Sequence, residues 1–304
     1  MAAEARAKAG AAVPEVGDPA TEEEFAADEQ YIEDGYRPAT IEGWPTRVFD
    51  AGEGQVVFFV PIIKGLEVVY AKQLREFPAT HRALLYERTE STDRPVGVGA
   101  RVDEIRKVLD HAGVERAHVV GLGDAGIPTL NFGREHPNRC LSLTSICLGP
   151  RYRVPPYWLN ERILNPLTER LPLERIVPDR LIRAMVVKAT SGGRLPPDLI
   201  GRMVDRIPQQ MRVHKFSVLP VTGHHEMRDW AHTVNVPTLL VNRDDAPLAP
   251  VEETHELARM LPDCRGVEIV HDGGRFITYS CAEHLNRVLR DFFATAAAPA
   301  TTPQ

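Results

Sequence analysis

Ala117-His118-Val119-Val120-Gly121-Leu122-Gly123-Asp124-Ala125-Gly126 joins an apolar run to a glycine-spaced turn. The run is short, apolar and bounded by turn residues, which fits a strand buried on both faces. Ile127, Leu130 and Phe132 follow at helical spacing, up to His136-Pro137. A strand that passes this abruptly into a helix needs backbone room, and glycines at 121, 123 and 126 supply it. The apex of such a turn presents its side chain to the space beyond the strand end. Here the apex is Gly123, which has no side chain to present.

Outward from the turn the pattern alternates. Thr21-Glu22-Glu23-Glu24 reads as a helix start, with the helix running to about residue 32, and two short strands follow near 39–42 and 46–49. Residues 55–61 (QVVFFVP) suit a buried strand, 68–77 a helix and 81–87 (HRALLYE) another strand. Residues 99–113 place Val102, Ile105, Val108 and Leu109 on one helical face and stop on glycine. Beyond the turn, 140–148 (CLSLTSICL) is again a strand. This alternation predicts an α/β architecture, a mostly parallel sheet with helices on both faces. Residues 150–232 break the rhythm and read as helices over 156–164, 173–188 and 197–213. The rhythm returns with a strand at 236–241, a helix at 251–261, a strand at 266–270 and a helix at 281–294. The expected organisation is an N-terminal extension over 1–35, partly disordered, a sheet domain over 36–149 and 233–297, and an inserted helical cap over 150–232.

The 304 residues, 43% hydrophobic and 26% charged, suit a globular protein able to bury a large core. A formal net charge of −6 argues against nucleic acid as the main partner. No apolar stretch approaches the roughly 20 residues of a membrane span, and the first residues lack the pattern of a secretory signal. Cys140, Cys147, Cys264 and Cys281 show no Cys-x-x-Cys spacing and read as thiols in a reducing cytoplasm. The expectation is a cytoplasmic protein with a small hydrophobic substrate and no membrane or nucleic-acid partner. Composition leaves the oligomeric state open.

In order and spacing the chain resembles the α/β-hydrolases with a helical cap, over roughly residues 45–295. The approach Val114-Glu115-Arg116-Ala117-His118-Val119-Val120-Gly121 carries the likeness. So do Glu135-His136-Pro137-Asn138-Arg139 and Val236-Pro237-Thr238-Leu239-Leu240-Val241. The resemblance implies a nucleophile elbow at 121–125 and puts the nucleophile on Gly123. It puts the acid on Ala246, with Asp245 one residue away, and the base on Arg275 of Gly273-Gly274-Arg275-Phe276. The pair that shapes the oxyanion hole falls on Pro61-Ile62. Glycine cannot attack, and arginine stays protonated and cannot serve as a base. Taking Asp124 as a dehalogenase-like nucleophile would shift the elbow by one residue and still lack a histidine base.

Polar residues near the strand ends are the remaining candidates. Asp124 follows the apex and either lines the cavity or serves the helix N-terminus. His224 and His225 sit where the cap returns to the sheet and suit acid–base work near neutral pH. His271 and Asp272 follow the last strand. Arg275 can hold a carboxylate or enolate oxygen, or pair with Asp244 or Asp245. Ile62, Gly123 and Tyr86 are the expected substrate-binding positions, with Lys64, Tyr70 and Glu87 as further groups near the pocket. Tyr152, Tyr157 and Trp158 read as cap packing. Elimination needs a positioned base and a site for enolate-like charge, but no nucleophile. A resemblance to non-hydrolytic members of polyketide-type pathways adds to this. Together they predict a lyase, free of metal and cofactor, that removes acetate from an acetylated tetronate. Its base would be His225 or Asp124. The alternatives are an inactive small-molecule binding protein and a hydrolase with a relocated triad of Asp124, Asp245 and His271.

Overall fold

The computed structural model describes residues 20–151, 171, 172, 175, 177–190, 195–223, 225–244, 246, 249–271, 273 and 276–296. The expected disorder over the first 19 residues and the helix over 156–164 lie outside them. So do Tyr152, Tyr157, Trp158, His224, Asp245, Asp272 and Arg275.

Eight strands form one sheet: β1 Tyr36–Ile41, β2 Trp44–Ala51, β3 Val56–Val60, β4 Arg82–Tyr86, β5 Ala117–Leu122, β6 Cys140–Ile146, β7 Thr238–Arg243 and β8 Cys264–Val270. Their spatial order is β1-β2-β4-β3-β5-β6-β7-β8. β2 runs antiparallel to β1 and β4, and every pairing from β4 across to β8 is parallel. The β1–β2 hairpin turns on Glu42 and Gly43, whose φ values of 50° and 81° match the left-handed turn that suits twisted strands. β3 and β5, at the centre, are buried along their whole length, which is why both read as unbroken apolar runs.

Successive side chains feed opposite faces of the sheet. Val57 and Phe59 of β3 pack with the helices α1 Glu22–Gly35, α2 Ala71–Glu76 and α9 Ala282–Ala296. Phe58 and Val60 pack with α3 Val98–His111, α4 Gly126–Glu135 and α7 Val251–Met260. The N-terminal extension is thus part of the core: Phe25 and Ile32 of α1 are buried in the first cluster. Thr21 caps α1 by accepting from the Glu24 amide at 3.1 Å. Asp28 is buried and compensated, by Arg75 at 2.6 Å, Lys72 at 2.8 Å and the Tyr279 hydroxyl at 2.8 Å.

Between β6 and β7 the described residues form α5 Asp179–Thr190, α6 Pro197–Arg206 and an interrupted helix over 211–222. The single helix expected over 197–213 is therefore two. Pro208 disfavours helical backbone at Ile207, which adopts φ −72° and ψ 139°, and α6 stops there. α8 Ile277–Ser280 follows β8 and leads into α9.

Candidate functional site

The site is built at the C-terminal ends of the parallel strands. β5 ends at Leu122, a single 3₁₀ turn covers Gly123–Ala125, and α4 begins at Gly126. Gly123 has φ 57°, the left-handed value that marks the apex of a strand–turn–helix elbow. Among the described residues, Glu42 and Cys147 are the non-glycine positions with positive φ, so the apex falls on Gly123 and not on Asp124. The one-residue shift of a dehalogenase-like reading is therefore excluded. The flanking glycines are required sterically. A Cβ on Gly121 would meet Thr129 Oγ1 at 2.4 Å and the Ala125 carbonyl at 2.5 Å, and one on Gly126 would meet Ser145 Oγ at 2.5 Å.

Two devices hold this corner. Tyr70 is fully buried; its hydroxyl donates to the Val60 carbonyl at 3.1 Å and accepts from the Leu122 amide at 2.9 Å. It fastens the end of β3 to the end of β5. Arg88, also buried, donates to the Ile62 carbonyl and to the Ser217 carbonyl, the latter at 3.0 Å. It ties the loop after β3 to the interrupted helix. Glu90 balances its charge at 2.9 Å and also contacts Arg101 at 3.1 Å. Burial draws the Arg88 guanidinium below its ordinary value, and neighbouring Arg101 adds to this. Gly65 has φ 88°, and a Cβ there would lie 2.2 Å from the Arg206 carbonyl, so the same loop presses against the end of α6.

Asp124 is partly buried. Its amide belongs to the first turn after the strand, where N–H groups lack intrahelical acceptors and favour an anion. Its carboxylate charge reaches two imidazoles. His225 is buried; burial pushes its imidazole down to about 4, against the Gly149 carbonyl, Glu226 and Asp124. Its Nε2 lies 3.1 Å from the Gly149 carbonyl. That makes His225 a neutral hydrogen-bond donor at ordinary pH. His214 is likewise held below the ordinary imidazole range by burial, opposed by the Pro208 carbonyl, Asp124 and Glu90. No motif or spacing marked His214. The one signal in the sequence was Pro220, which a regular helix over that stretch would not accommodate.

His271 contacts Asp244 through Nδ1 and Oδ2 at 2.8 Å. The pair is largely exposed, on the loops after β8 and β7. Ile62 is partly buried and packs against both cores. Tyr86 is enclosed between Phe58 and Trp44, and its hydroxyl donates to Glu104 at 3.0 Å. Lys64 and Arg47 pair with Glu87, which anchors the loop. Ala246 is buried at the expected acid position. Among the described residues no group of three or more His, Cys, Asp or Glu is arranged to hold a metal, and no helix is long and apolar enough to cross a membrane.

No protein-family model matches the chain. Over 267 residues it is 24% identical to the provisionally named carbamate hydrolase RutD of Caulobacter sp. (strain K31), covering 82% of this chain and 94% of the relative. A shorter match of 175 residues, 23% identical, covers 56% of this chain and 59% of a poly(3-hydroxyalkanoate) depolymerase from Ectopseudomonas oleovorans. A thermophilic esterase from Thermogutta terrifontis superposes with a TM-score of 0.70 at 16% identity, over 86% of this chain and 99% of its own. These likenesses overturn the acetate-eliminating lyase expected from the sequence: the similar proteins are named for hydrolysis, and none supports a tetronate substrate. Their agreement with the strand order and with the left-handed apex at Gly123 establishes the architecture: this chain has the α/β-hydrolase fold.

Proposed function

We propose that the chain is a hydrolase of a small, largely apolar carbonyl compound, an ester, lactone or carbamate, whose reactive groups have moved off the elbow apex. The hydrolase names of its relatives support the reaction class. The observation that carries the reading is the geometry at Gly123–Asp124. The turn keeps its left-handed apex and its first-turn amides, while the carboxylate sits one residue on and its charge acts on buried His225 and partly buried His214.

A side-chain-free apex leaves space above those amides for water, and water is the nucleophile in this reading. The carbonyl oxygen faces the Asp124 amide, where developing negative charge is stabilised without reorganisation. Asp124 supplies the carboxylate that orients the acid–base machinery. No acyl-enzyme forms. This reading sets Asp124 beside His214 and His225; the triad of Asp124, Asp245 and His271 is the alternative form of the same hydrolase, with His271 paired to Asp244 at 2.8 Å on the loop after β8.

The test uses the full chain with p-nitrophenyl acetate and butyrate, a γ-lactone and a methyl carbamate, comparing wild type with Asp124→Asn. The expected result is turnover of at least one class without a burst, and a loss of about 10²–10³ in kcat/KM for Asp124→Asn. A fluorophosphonate should leave no covalent adduct. Absence of turnover on all four, or an Asp124→Asn variant as active as wild type, overturns the reading. Ligand binding without product would instead favour a small-molecule binding protein.

A further inference from the structure

At the centre of the sheet one side chain joins the ends of β3 and β5. The two strands pair as far as Val60 and Gly121, and Pro61 then has no N–H to offer its neighbour. Beyond that point the link is Tyr70. Its hydroxyl donates to the Val60 carbonyl at 3.1 Å and accepts from the Leu122 amide at 2.9 Å. The roles are fixed, since a carbonyl can only accept and an amide N–H only donate. Burial pushes the phenol well above its ordinary value, against the bond from Leu122, so the hydroxyl keeps its proton. Leu122 is the last extended residue, at φ −101° and ψ 132°, before the left-handed Gly123.

Tyr70 is itself held from behind. It closes a 3₁₀ turn over Glu67–Tyr70 and leads into α2, and its ring packs on Phe59 with centroids 5.2 Å apart. In α2, buried Gln73 donates to the Thr278 carbonyl of α8 and to Asn286 Oδ1 of α9, both at 2.8 Å. Arg75 meets Asp28 of α1 at 2.6 Å. The loop that leaves β3 is fastened on its other side. Arg88 donates to the Ile62 carbonyl and to the Ser217 carbonyl in the π-turn His214–Val218, and Glu90 accepts from the Lys64 amide at 3.0 Å. By contrast Gly123 has no Cβ to restrain the peptide units on either side of it.

We infer that Tyr70 is a positioning residue of the site: its hydroxyl sets where Leu122 stands against the fixed loop after β3, and with it the aim of the Gly123–Asp124 peptide. This rests on the hydrolase reading above. In that reading negative charge develops on the carbonyl oxygen opposite the Asp124 amide, and a donor held in place beforehand stabilises it most. Tyr70 touches no reacting atom and acts through the backbone. A phenylalanine there leaves the Val60 carbonyl and the Leu122 amide unpaired in a buried core, or lets the strand ends draw together to pair directly. Either outcome moves the Asp124 amide off its line. The loss therefore falls on the chemical step and not on substrate binding.

The experiment compares wild type, Tyr70→Phe and Tyr31→Phe, each checked by urea unfolding, on whichever ester, lactone or carbamate the wild type turns over. Tyr31 is the control: its hydroxyl donates to the Leu74 carbonyl at 3.0 Å, so its loss weakens the seat of α2 without touching the elbow. Tyr70→Phe is expected to lower kcat by about 10- to 100-fold with KM little changed. Its Leu122 amide should exchange faster by about tenfold or more, and the Gly123 and Asp124 amide resonances should shift. Tyr31→Phe should keep wild-type kcat and wild-type Leu122 exchange. In the wild type alone, the Tyr70 hydroxyl proton should be a slowly exchanging resonance with a nuclear Overhauser effect to the Leu122 amide, a reading that holds even where a variant does not fold. Folded Tyr70→Phe with wild-type kcat, unchanged Leu122 exchange, equal losses of kcat in both variants, or absence of that hydroxyl resonance overturns the assignment and leaves the hydrolase reading standing. A wild type with no turnover sinks both.

Discussion

Gly123 stands at the left-handed apex of the elbow, and its backbone explains part of the choice. At φ 57° a glycine pays no steric penalty, whereas an L side chain is strained. Gly123→Ser should therefore lower stability by about 1–2 kcal/mol, read as a shifted urea midpoint at unchanged m. It should not gain fluorophosphonate labelling, since the resemblance puts Arg275 where a serine would need a histidine. Rapid labelling would show that a base reaches the apex after all. Gly121 is constrained by packing: Gly121→Ala drives a methyl into Thr129 and the Ala125 carbonyl and should cost about 1–3 kcal/mol. Each of these effects is legible as a glycine in the sequence, but the reason differs at each position and comes from the neighbours.

At the level of elements, the loop after β3, the loop after β4 and the interrupted helix act together through Arg88. Its guanidinium serves the Ile62 and Ser217 carbonyls at once, with Glu90 as counter-ion. A lysine keeps the charge but is a point donor and cannot span both carbonyls. Arg88→Lys is expected to retain the far-UV spectrum and to lower Tm by several degrees, about 2–4 °C for each kcal/mol lost. An unchanged Tm would show that the other contacts to loop 88–96 suffice. The strands themselves were predictable, since β3, β5 and β6 are apolar runs between turn residues. The π-turn was not, because helical periodicity continues through it and the bonds that hold it come from residues over a hundred positions away.

For the whole molecule, Glu67 lies buried where the loop after β3 meets the end of α6 and the first strands. Burial pushes its carboxyl up to about 7, against bonds from its own amide and that of Gly65; Glu87 adds to the rise and Arg206 opposes it. The folded state then holds a proton that the unfolded chain has released. Glu67 supports the fold fully below its unfolded value of 4.5, and that support is lost as pH rises through 7. His225 acts oppositely: its support is full above 6.5 and lost as pH falls through about 4. The two partly cancel in the wild type, so the difference between variants is the informative quantity. Glu67→Gln should gain stability over wild type between pH 4.5 and 8, by an amount on the order of 3 kcal/mol in urea unfolding. Parallel pH profiles would place Glu67 in contact with water. The sequence by itself determined the sheet, the helices on both faces, the inserted helical segment and the side-chain-free elbow apex, because each rests on local periodicity or on a single residue type. Only the tertiary structure decided that α1 belongs to the core, that His271 pairs with Asp244, and that the charge of Asp124 acts on His214 and His225. Those relations depend on burial and on contacts between distant segments, and neither leaves a periodic mark in the chain. The elbow at Gly123 could be located from sequence, whereas which side chains surround it is set by the folded chain.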